Sequence, residues 1–273
     1  MLSHRHPALY ALAVRAYQAR RFARWWLDDR LGRRIADEQA AQPLPLRIKK
    51  HQSRLLRRLG DSEMWLQHNK VKNLAIAIRP LHGLLIRPGE TFSFWRRVGR
   101  PSRREGYVDG MQLSRGKAVH GVGGGICQIA NVLHWLVLHS PLAVVERSTH
   151  SFDPFPDHER SIPYGTGCSV FYNYLDFSFR NPTQTTFQLQ LWLSDRFLEA
   201  ELRASHELPH TYSVFEKDHA FERASDGVYR RNELWRRVCD RRTGAFLRNE
   251  LVKRNRALVK YPVDEEAIRK IDG

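Results

Sequence analysis

Residues 121–140 read GVGGGICQIANVLHWLVLHS and join a glycine-rich turn directly to an apolar segment. After Cys127 the apolar residues recur at intervals of three and four, which predicts a helix from Cys127 to His139. The pair Ser140-Pro141 ends that helix. Glycines allow a backbone to come close to a ligand. This turn and its helix therefore predict both the centre of the core and the first place to look for a functional site.

Cys127 is a candidate nucleophile because it opens the helix. Backbone N–H groups at a helix start lower a thiol pKa and can hold an oxyanion. A helix of about a dozen residues runs roughly 18 Å away from Cys127, and a predicted strand at 142–147 can return over most of that distance. His150 follows this strand and can come back beside the thiol as a general base.

A third group could orient the imidazole of His150. Asp176 is the first choice for that role, with Asp153 and Glu146 behind it. These residues define a hypothetical Cys–His site for acyl transfer.

Two other interpretations of the same residues stay open. Free cysteines are often simply buried, and the turn could hold a phosphate or a sugar without chemistry through Gly123, Gly124, Gly125 and Gln128. A metal site would need residues from HSFDPFPDHER (150–160), whose spacing matches no established ligand pattern. We therefore predict no metal and no cofactor.

The rest of the chain predicts an α+β fold. The predicted elements are helices at 8–39, 47–59 and 63–78, short strands and a hairpin over 81–125, a strand at 168–181 with an antiparallel partner at 185–195 across Asn181-Pro182-Thr183, and a β-meander over 211–262. The predicted division is a basic helical region (1–62), a mixed core with the Cys127 helix packed on an antiparallel sheet (63–204) and a β-rich C-terminal extension (205–273).

Charge is concentrated at the N-terminus. The 273 residues are 42% hydrophobic, enough for a packed core, and carry a net charge of +16. Residues 1–60 hold fourteen Lys and Arg against four acids, a net charge of +10. Such a region suggests an anionic surface as partner. Nucleic-acid binding through this region is a second alternative function, but no nucleic acid is expected as partner, because no recognition motif accompanies the charge.

A basic helix with tryptophans can lie in a membrane interface or pack on its own protein. The candidate contact residues are Arg20, Arg21, Arg24, Trp25 and Trp26. No segment approaches the roughly 20 apolar residues of a membrane span, and no signal-peptide cleavage site is present. Three cysteines fit reduced thiols. We expect a cytoplasmic protein with peripheral contact at the inner face of the cell membrane.

Several motifs together resemble the signature of the VanW family. They are RPGETFSF (87–94), VG (98–99), GY (106–107), GVGGGICQ (121–128), VVER (144–147) and HS (150–151). Further stretches resemble the short VanW proteins, namely HPALY (6–10), KKHQS (49–53), NKVKNL (69–74), HSPL (139–142), SFDPFPD (151–157) and FEKDH (215–219). The resemblance runs from about residue 6 to residue 262. One departure is Gly167-Cys168, where many longer relatives have Asp-Ala, so an acid is missing here.

The resemblance implies a link with the bacterial cell envelope and with vancomycin-resistance gene clusters. Our leading expectation is an enzyme that acts on a cell-wall precursor or a peptidoglycan fragment by amide hydrolysis or transpeptidation. The rival expectation is a non-catalytic protein that binds an anionic or lipid-linked wall precursor at the inner membrane face.

Overall fold

The computed structural model describes residues 7–57, 63–114, 117–149, 152, 153, 156 and 162–269. The α-helices of these residues are α1 (Pro7–Arg30), α2 (Met64–Ala77), α3 (Phe94–Val98) and α4 (Cys127–Leu138). The strands are β1 (Leu46–Arg54), β2 (Leu85–Ile86), β3 (Thr91–Ser93), β4 (Asp109–Ser114), β5 (Lys117–Val122), β6 (Ala143–Glu146), β7 (Phe152–Asp153), β8 (Ser178–Arg180), β9 (Phe187–Leu193), β10 (Phe197–Ala204), β11 (His210–Ala224), β12 (Gly227–Asp240), β13 (Phe246–Val259) and β14 (Ile268–Arg269). The predicted α+β class is confirmed.

Four sheets organise the described strands. The central sheet is antiparallel in the order β1-β10-β9-β2, and a small sheet has the order β3-β8-β6. A hairpin pairs β4 with β5, and the C-terminal sheet has the order β14-β11-β12-β13-β7. None of the described helices combines the length and the apolar character that crossing a bilayer requires.

Helix α4 lies at the centre of the core, as predicted. Nine of its twelve residues are buried, so the helix is covered nearly all round rather than on one face. It packs against β1 and β10 of the central sheet. Burial on this scale is the main source of stability for such an apolar helix.

The predicted second basic helix at 47–59 is wrong where the structure describes it. Residues 46–54 form β1, an edge strand that pairs with β10. Arg47 forms an ion pair with Glu201, and Lys50 with Glu199, across the two strands. Cross-strand charge pairs and the neighbouring strand override the local helical pattern. The region 1–62 is therefore only partly helical, because β1 belongs to the sheet of the predicted core.

The first helix is shorter than the predicted 8–39. It ends at Arg30, and Gly32 follows with φ of +62°, a left-handed conformation that terminates helices. The chain then runs extended past the core, where Ile35 bridges Thr91 and Gln39 bridges Leu84.

The predicted strand at 168–181 is strand only over β8. Residues 171–175 form a tight turn, in which Phe171 and Leu175 pair and Asn173 has φ of +50°. The predicted pairing of 168–181 with 185–195 is also wrong, since β9 pairs with β10 and β2. The Asn181 amide donates to Ile86 and Thr185 carbonyls, and this loop carries the chain from one sheet to another.

The predicted C-terminal meander is confirmed as β11, β12 and β13. Leu234 of this meander is fully buried against Trp135 and Leu138 of α4. Arg236 also donates to the carbonyl of Ser140, just after α4. The meander thus contacts the core through α4, while the boundary at residue 205 stays a prediction.

Candidate functional site

A buried asparagine on α2 holds the glycine turn in front of Cys127. The Asn73 amide donates to the carbonyls of Gly124 and Val108, at 2.9 and 3.0 Å, and its oxygen accepts from the N–H of Val108 at 2.9 Å. Asn73 is fully buried, so these bonds are made away from water. They join α2, the β4–β5 hairpin and the glycine turn into one unit.

Two glycines of the turn are required by close approach. A Cβ at Gly124 would overlap the backbone of Gly110. Gly125 has φ of +90°, and a Cβ there would overlap the side chain of Lys70. The sequence predicted that the backbone of this turn comes close to a ligand. In the structure, the groups that approach it are the backbone of Gly110 in the hairpin and the side chain of Lys70.

Lys70 is a buried cation beside the Cys127 turn. Its side chain packs against Gly125, and its Nζ donates to the side-chain oxygen of Gln67 at 2.7 Å. Burial lowers the pKa of Lys70 to about 8, with Cys127 acting in the opposite direction and Arg57 in the same one. A buried lysine with this pKa is partly neutral near pH 8 and can accept a proton.

Cys127 is the first residue of α4 and is partly exposed. Burial raises the pKa of its thiol, while Lys70 and the backbone N–H groups of Cys127 and Gln128 lower it. The helix start acts in the predicted direction, but desolvation outweighs it and the net shift is upward. The thiol is therefore protonated at neutral pH and needs a base to become a nucleophile.

Gln128, one of the predicted ligand-binding residues, is bound to β1. Its amide donates to Ser53 Oγ at 2.9 Å and to the carbonyl of Arg54 at 2.9 Å. These bonds tie the start of α4 to the end of β1, so the Gln128 amide already has partners within the protein.

Cys168 lies one helical turn beyond Cys127 along α4. Its N–H donates to the side-chain oxygen of Asn131 at 2.6 Å, and Asn131 follows Cys127 by four residues. Burial raises the pKa of Cys168 to about 12. Cys127, Arg147 and Asp176 all act on this pKa, so Cys168 lies close to each of these three groups.

Asp176 caps a helix. Its carboxylate accepts from Ser93 Oγ at 2.6 Å and from the N–H groups of Trp95 and Phe177 at 3.1 and 2.9 Å. Ser93 precedes α3 and accepts from the N–H of Arg96, while Asp176 satisfies the N–H of Trp95 in the first turn of that helix. Burial raises the pKa of Asp176 to about 6, opposed by the bonds from Ser93 and Trp95.

His150, the predicted base, lies outside the described residues, so its relation to Cys127 and Asp176 stays a prediction. The two other groups weighed as its partner are engaged elsewhere. Glu146 forms an ion pair with Arg21 of α1 at 2.5 Å. Asp153 accepts from Tyr261 and lies 3.3 Å from the buried guanidinium of Arg230.

The loop weighed as a metal site is described only in part. Among the described residues no group of three or more His, Cys, Asp or Glu side chains could hold a metal ion. His150, Asp157 and His158 lie outside those residues. His134 on α4 is buried, its Nδ1–H donates to the carbonyl of Thr166 at 2.8 Å, and burial lowers its pKa to about 3, so this imidazole is neutral and packs in the core.

Sequence reasoning did not identify Lys70 and Asn73. A signal was present, because the buried residues of α2 recur at helical spacing and include polar members. They are Leu66, Gln67, Lys70, Asn73, Leu74 and Ala77. Charged and amide side chains on the inward face of a helix mark a built polar site rather than a solvated surface.

The five residues predicted to contact an anionic surface are divided by the fold. Arg21 is ion-paired with Glu146, and Trp25 packs against the core beneath Arg96, whose guanidinium lies 5.3 Å from the ring centroid. Arg20, Arg24 and Trp26 are exposed. Only these last three face away from the body of the protein.

Comparisons with known proteins give one family. The family described as "VanW like protein" matches residues 69–203. The chain is 34% identical over 203 residues to vancomycin B-type resistance protein VanW of Enterococcus faecalis, covering 74% of each chain. It is 33% identical over 112 residues to the uncharacterized protein YoaR of Bacillus subtilis, covering 40% of this chain and 34% of that protein. No solved structure matches the chain at a significant level. The matched residues include Lys70, the glycine turn and Cys127, and the chain belongs to the VanW family.

Proposed function

We propose that this protein is a thiol-dependent acyl-transfer enzyme that cleaves or exchanges an amide bond in a cell-wall precursor or a peptidoglycan peptide. The observation that carries the proposal is the buried Lys70 packed against the turn that leads into Cys127. A protonated thiol at a helix start, next to a buried amine with a pKa of about 8, is a nucleophile with a base beside it.

The proposed reaction begins with transfer of the thiol proton from Cys127 to the neutral amine of Lys70. The sulfur then forms a bond to the amide carbonyl carbon, and the carbon–nitrogen bond breaks as the leaving amine takes the proton. Water releases the acyl group as a carboxylic acid, and an incoming amine releases it as a new amide. The backbone N–H of Cys127, the first residue of α4, is suited to stabilise the oxyanion, whereas the N–H of Gln128 already donates to the carbonyl of Gly125 at 3.1 Å.

His150 is the other proposed base, from the spacing of the sequence. Asp176 would be a positioning residue in this scheme and would not contact the substrate. Its carboxylate already accepts hydrogen bonds from Ser93 and from the N–H of Trp95 at the start of α3.

The proposal is tested first through the alkylation rate of Cys127 as a function of pH, with Cys168 and Cys239 replaced by serine. Lys70→Met keeps the buried stem and removes the charge that favours the thiolate, so we expect the Cys127 pKa to rise and alkylation at pH 8 to slow about tenfold. Lys72→Met, an exposed lysine of the same helix, is the matched control and should match wild type. His150→Ala measures the other base in the same assay.

The chemical step is tested by incubating the protein with peptidoglycan peptides and measuring its intact mass. We expect a hydroxylamine-sensitive acyl adduct that is absent in Cys127→Ala and reduced in Lys70→Met. Absence of both an adduct and amide turnover, with thiol reactivity equal in Lys70→Met and Lys72→Met, would contradict the enzyme proposal.

A second candidate function, binding of an anionic or lipid-linked wall precursor at the inner membrane face, is favoured by the surface of α1. Leu12 and Trp26 are 65% and 59% exposed, and Arg20 and Arg24 flank them on the outer face. The two acids of the helix are engaged, Asp28 by Arg33 and Asp29 by Arg96. An apolar strip with cationic margins suits a peripheral contact with anionic headgroups. This function needs no reaction at Cys127.

A further inference from the structure

A second cluster of cationic side chains lies at the other end of α4 from Cys127. A cavity of about 250 Å³ opens where β1, the end of α4 and the start of β11 meet. The polar side chains that line it belong to Lys49, His139, His210, Thr211, Tyr212 and Arg241. Since the twelve residues of α4 span about 18 Å, this cavity is distinct from the Cys127 site. Its described lining contains no carboxylate.

Lys49 is the central cation of this cavity. A register irregularity in β1 between Arg47 and Lys49 lets both Ile48 and Lys49 line the cavity. The flanking cations Arg47 and Lys50 pair with the glutamates of β10. Lys49 forms no ion pair with any described residue, and its Nζ lies 5.7 Å from the ring centroid of Trp135. The cavity therefore holds a half-buried ammonium without a counter-ion in the described chain.

Two histidines near Lys49, His51 and His139, have pKa values that are lowered partly by the surrounding positive charge. Burial, together with the charge of Lys49, lowers the pKa of His51 and of His139 to about 4. Arg57 adds to the effect on His51, and Arg236 adds to that on His139. Two acids lie close to the lining residues: Glu250 forms an ion pair with Arg236, and Asp240, which accepts from Thr243, keeps its negative charge near His210.

Arg241 closes the other side of the cavity. Its Nε donates to the carbonyl of Leu208 at 2.8 Å, which orients the guanidinium, and it forms no ion pair with a described residue. Tyr212 adds a hydroxyl whose pKa burial raises, so it remains a donor at neutral pH. Two cations and two hydroxyl donors, with no carboxylate, match the charge and the acceptor oxygens of a phosphoryl dianion better than those of a single carboxylate.

We propose that the cavity between β1, α4 and β11 binds a phosphoryl group, held by Lys49 and Arg241 with donors from Thr211 and Tyr212. Ligand sites occur preferentially where structural units meet, and this cavity lies where the central sheet meets the C-terminal meander. The site is independent of the chemistry proposed for Cys127.

Inorganic pyrophosphate is the probe, titrated calorimetrically into the full chain at neutral pH and 150 mM salt. We expect saturable binding to one site, weakened about tenfold or more in Lys49→Gln and in Arg241→Gln, because each removes a charged hydrogen-bond donor. Lys50→Gln is the matched control, since Lys50 is the next residue of β1 and pairs with Glu199. It should change the affinity less than twofold, and Cys127→Ala should not change it.

Two sources of a phosphoryl group are distinguished with vesicles that contain phosphatidic acid. Binding of free pyrophosphate indicates a soluble ligand, and vesicle binding that depends on Lys49 without binding of free pyrophosphate indicates a lipid headgroup. Equal weakening by Lys49→Gln and Lys50→Gln would show only diffuse attraction to a chain of net charge +16 and would overturn the proposal. So would the absence of saturable binding to both probes.

Discussion

Burial shifts three side chains around the start of α4 toward their neutral forms. The pKa of Lys70 falls to about 8, that of Asp176 rises to about 6 and that of Cys168 rises to about 12, each chiefly through loss of hydration. A charge brought into such a region interacts more strongly than it would in water. Lys70 and Asp176 therefore titrate within about one pH unit of neutrality, whereas the Cys168 thiol stays protonated.

Asp176 gives a prediction about stability and pH. Its folded-state pKa of about 6 lies above the ordinary value of 3.8, so on raising the pH the unfolded chain loses this proton first. The stabilisation that Asp176 contributes to the folded state is therefore complete below pH 3.8 and is lost as the pH rises toward 6. Between pH 4 and pH 7 we expect the free energy of unfolding of wild type to fall relative to that of Asp176→Asn by about 2–3 kcal/mol.

Urea unfolding at both pH values measures this difference, in which contributions from other groups cancel. Asp195→Asn, at an exposed position between β9 and β10, is the control and should show a much smaller change. A wild-type minus Asp176→Asn difference that is the same at pH 4 and pH 7 would show that the carboxyl is not desolvated in the folded protein.

At the scale of elements, α1 has two different faces. Arg21 and Gln18 bind the body of the protein through Glu146 and the carbonyl of Tyr172. The opposite face carries exposed apolar side chains, among them Trp26 and Leu27. Because one face already holds the helix in place, the other is available to contact an anionic surface.

Trp26→Ala is predicted to weaken binding to vesicles that contain anionic phospholipid by about tenfold, since burial of an aromatic ring in the interface contributes roughly 1.5–3 kcal/mol. Co-sedimentation at low and physiological salt measures it. Phe246→Ala is matched in exposure, because both side chains are 59% exposed, and should leave binding unchanged. Equal effects of the two substitutions would argue against α1 as the contact surface.

At the scale of the whole molecule, the two ends of α4 contact different parts of the structure. Its first residue lies at the Cys127 turn, and its last turn packs against the meander through Trp135, Leu138 and Leu234. The core and the C-terminal meander therefore share one helix.

Leu234→Ala is predicted to lower the free energy of unfolding by about 2–4 kcal/mol, because it leaves a cavity against α4. Leu247→Ala on β13, where the side chain is 44% exposed, should cost far less. Urea unfolding followed by far-ultraviolet circular dichroism and by tryptophan fluorescence measures both. Coincident transitions would indicate that core and meander unfold together, whereas separate transitions would support a domain boundary near residue 205.

Local pattern was sufficient for some elements and insufficient for others. Helix α4 and the meander were predicted correctly because their periodicity runs over ten residues or more and agrees with their burial. The strand β1 was predicted as a helix, since Arg47 and Lys50 are paired with Glu201 and Glu199, about 150 residues away in the chain. The partner of β9 was also predicted wrongly, because the choice between β8 and β10 depends on the loop held by Asn181.

The amino-acid sequence by itself determined the α+β class, the start of α4 at Cys127, the C-terminal meander and the resemblance to the VanW family. These features rest on short-range periodicity and on a local motif. Only the tertiary structure decided that Lys70 lies beside Cys127, that Asp176 caps α3 and that Lys49, within the described part of the chain, lacks the carboxylate partner that Arg47 and Lys50 have. The pKa of each group depends on burial and on charges from distant parts of the chain, and neither can be read from local sequence.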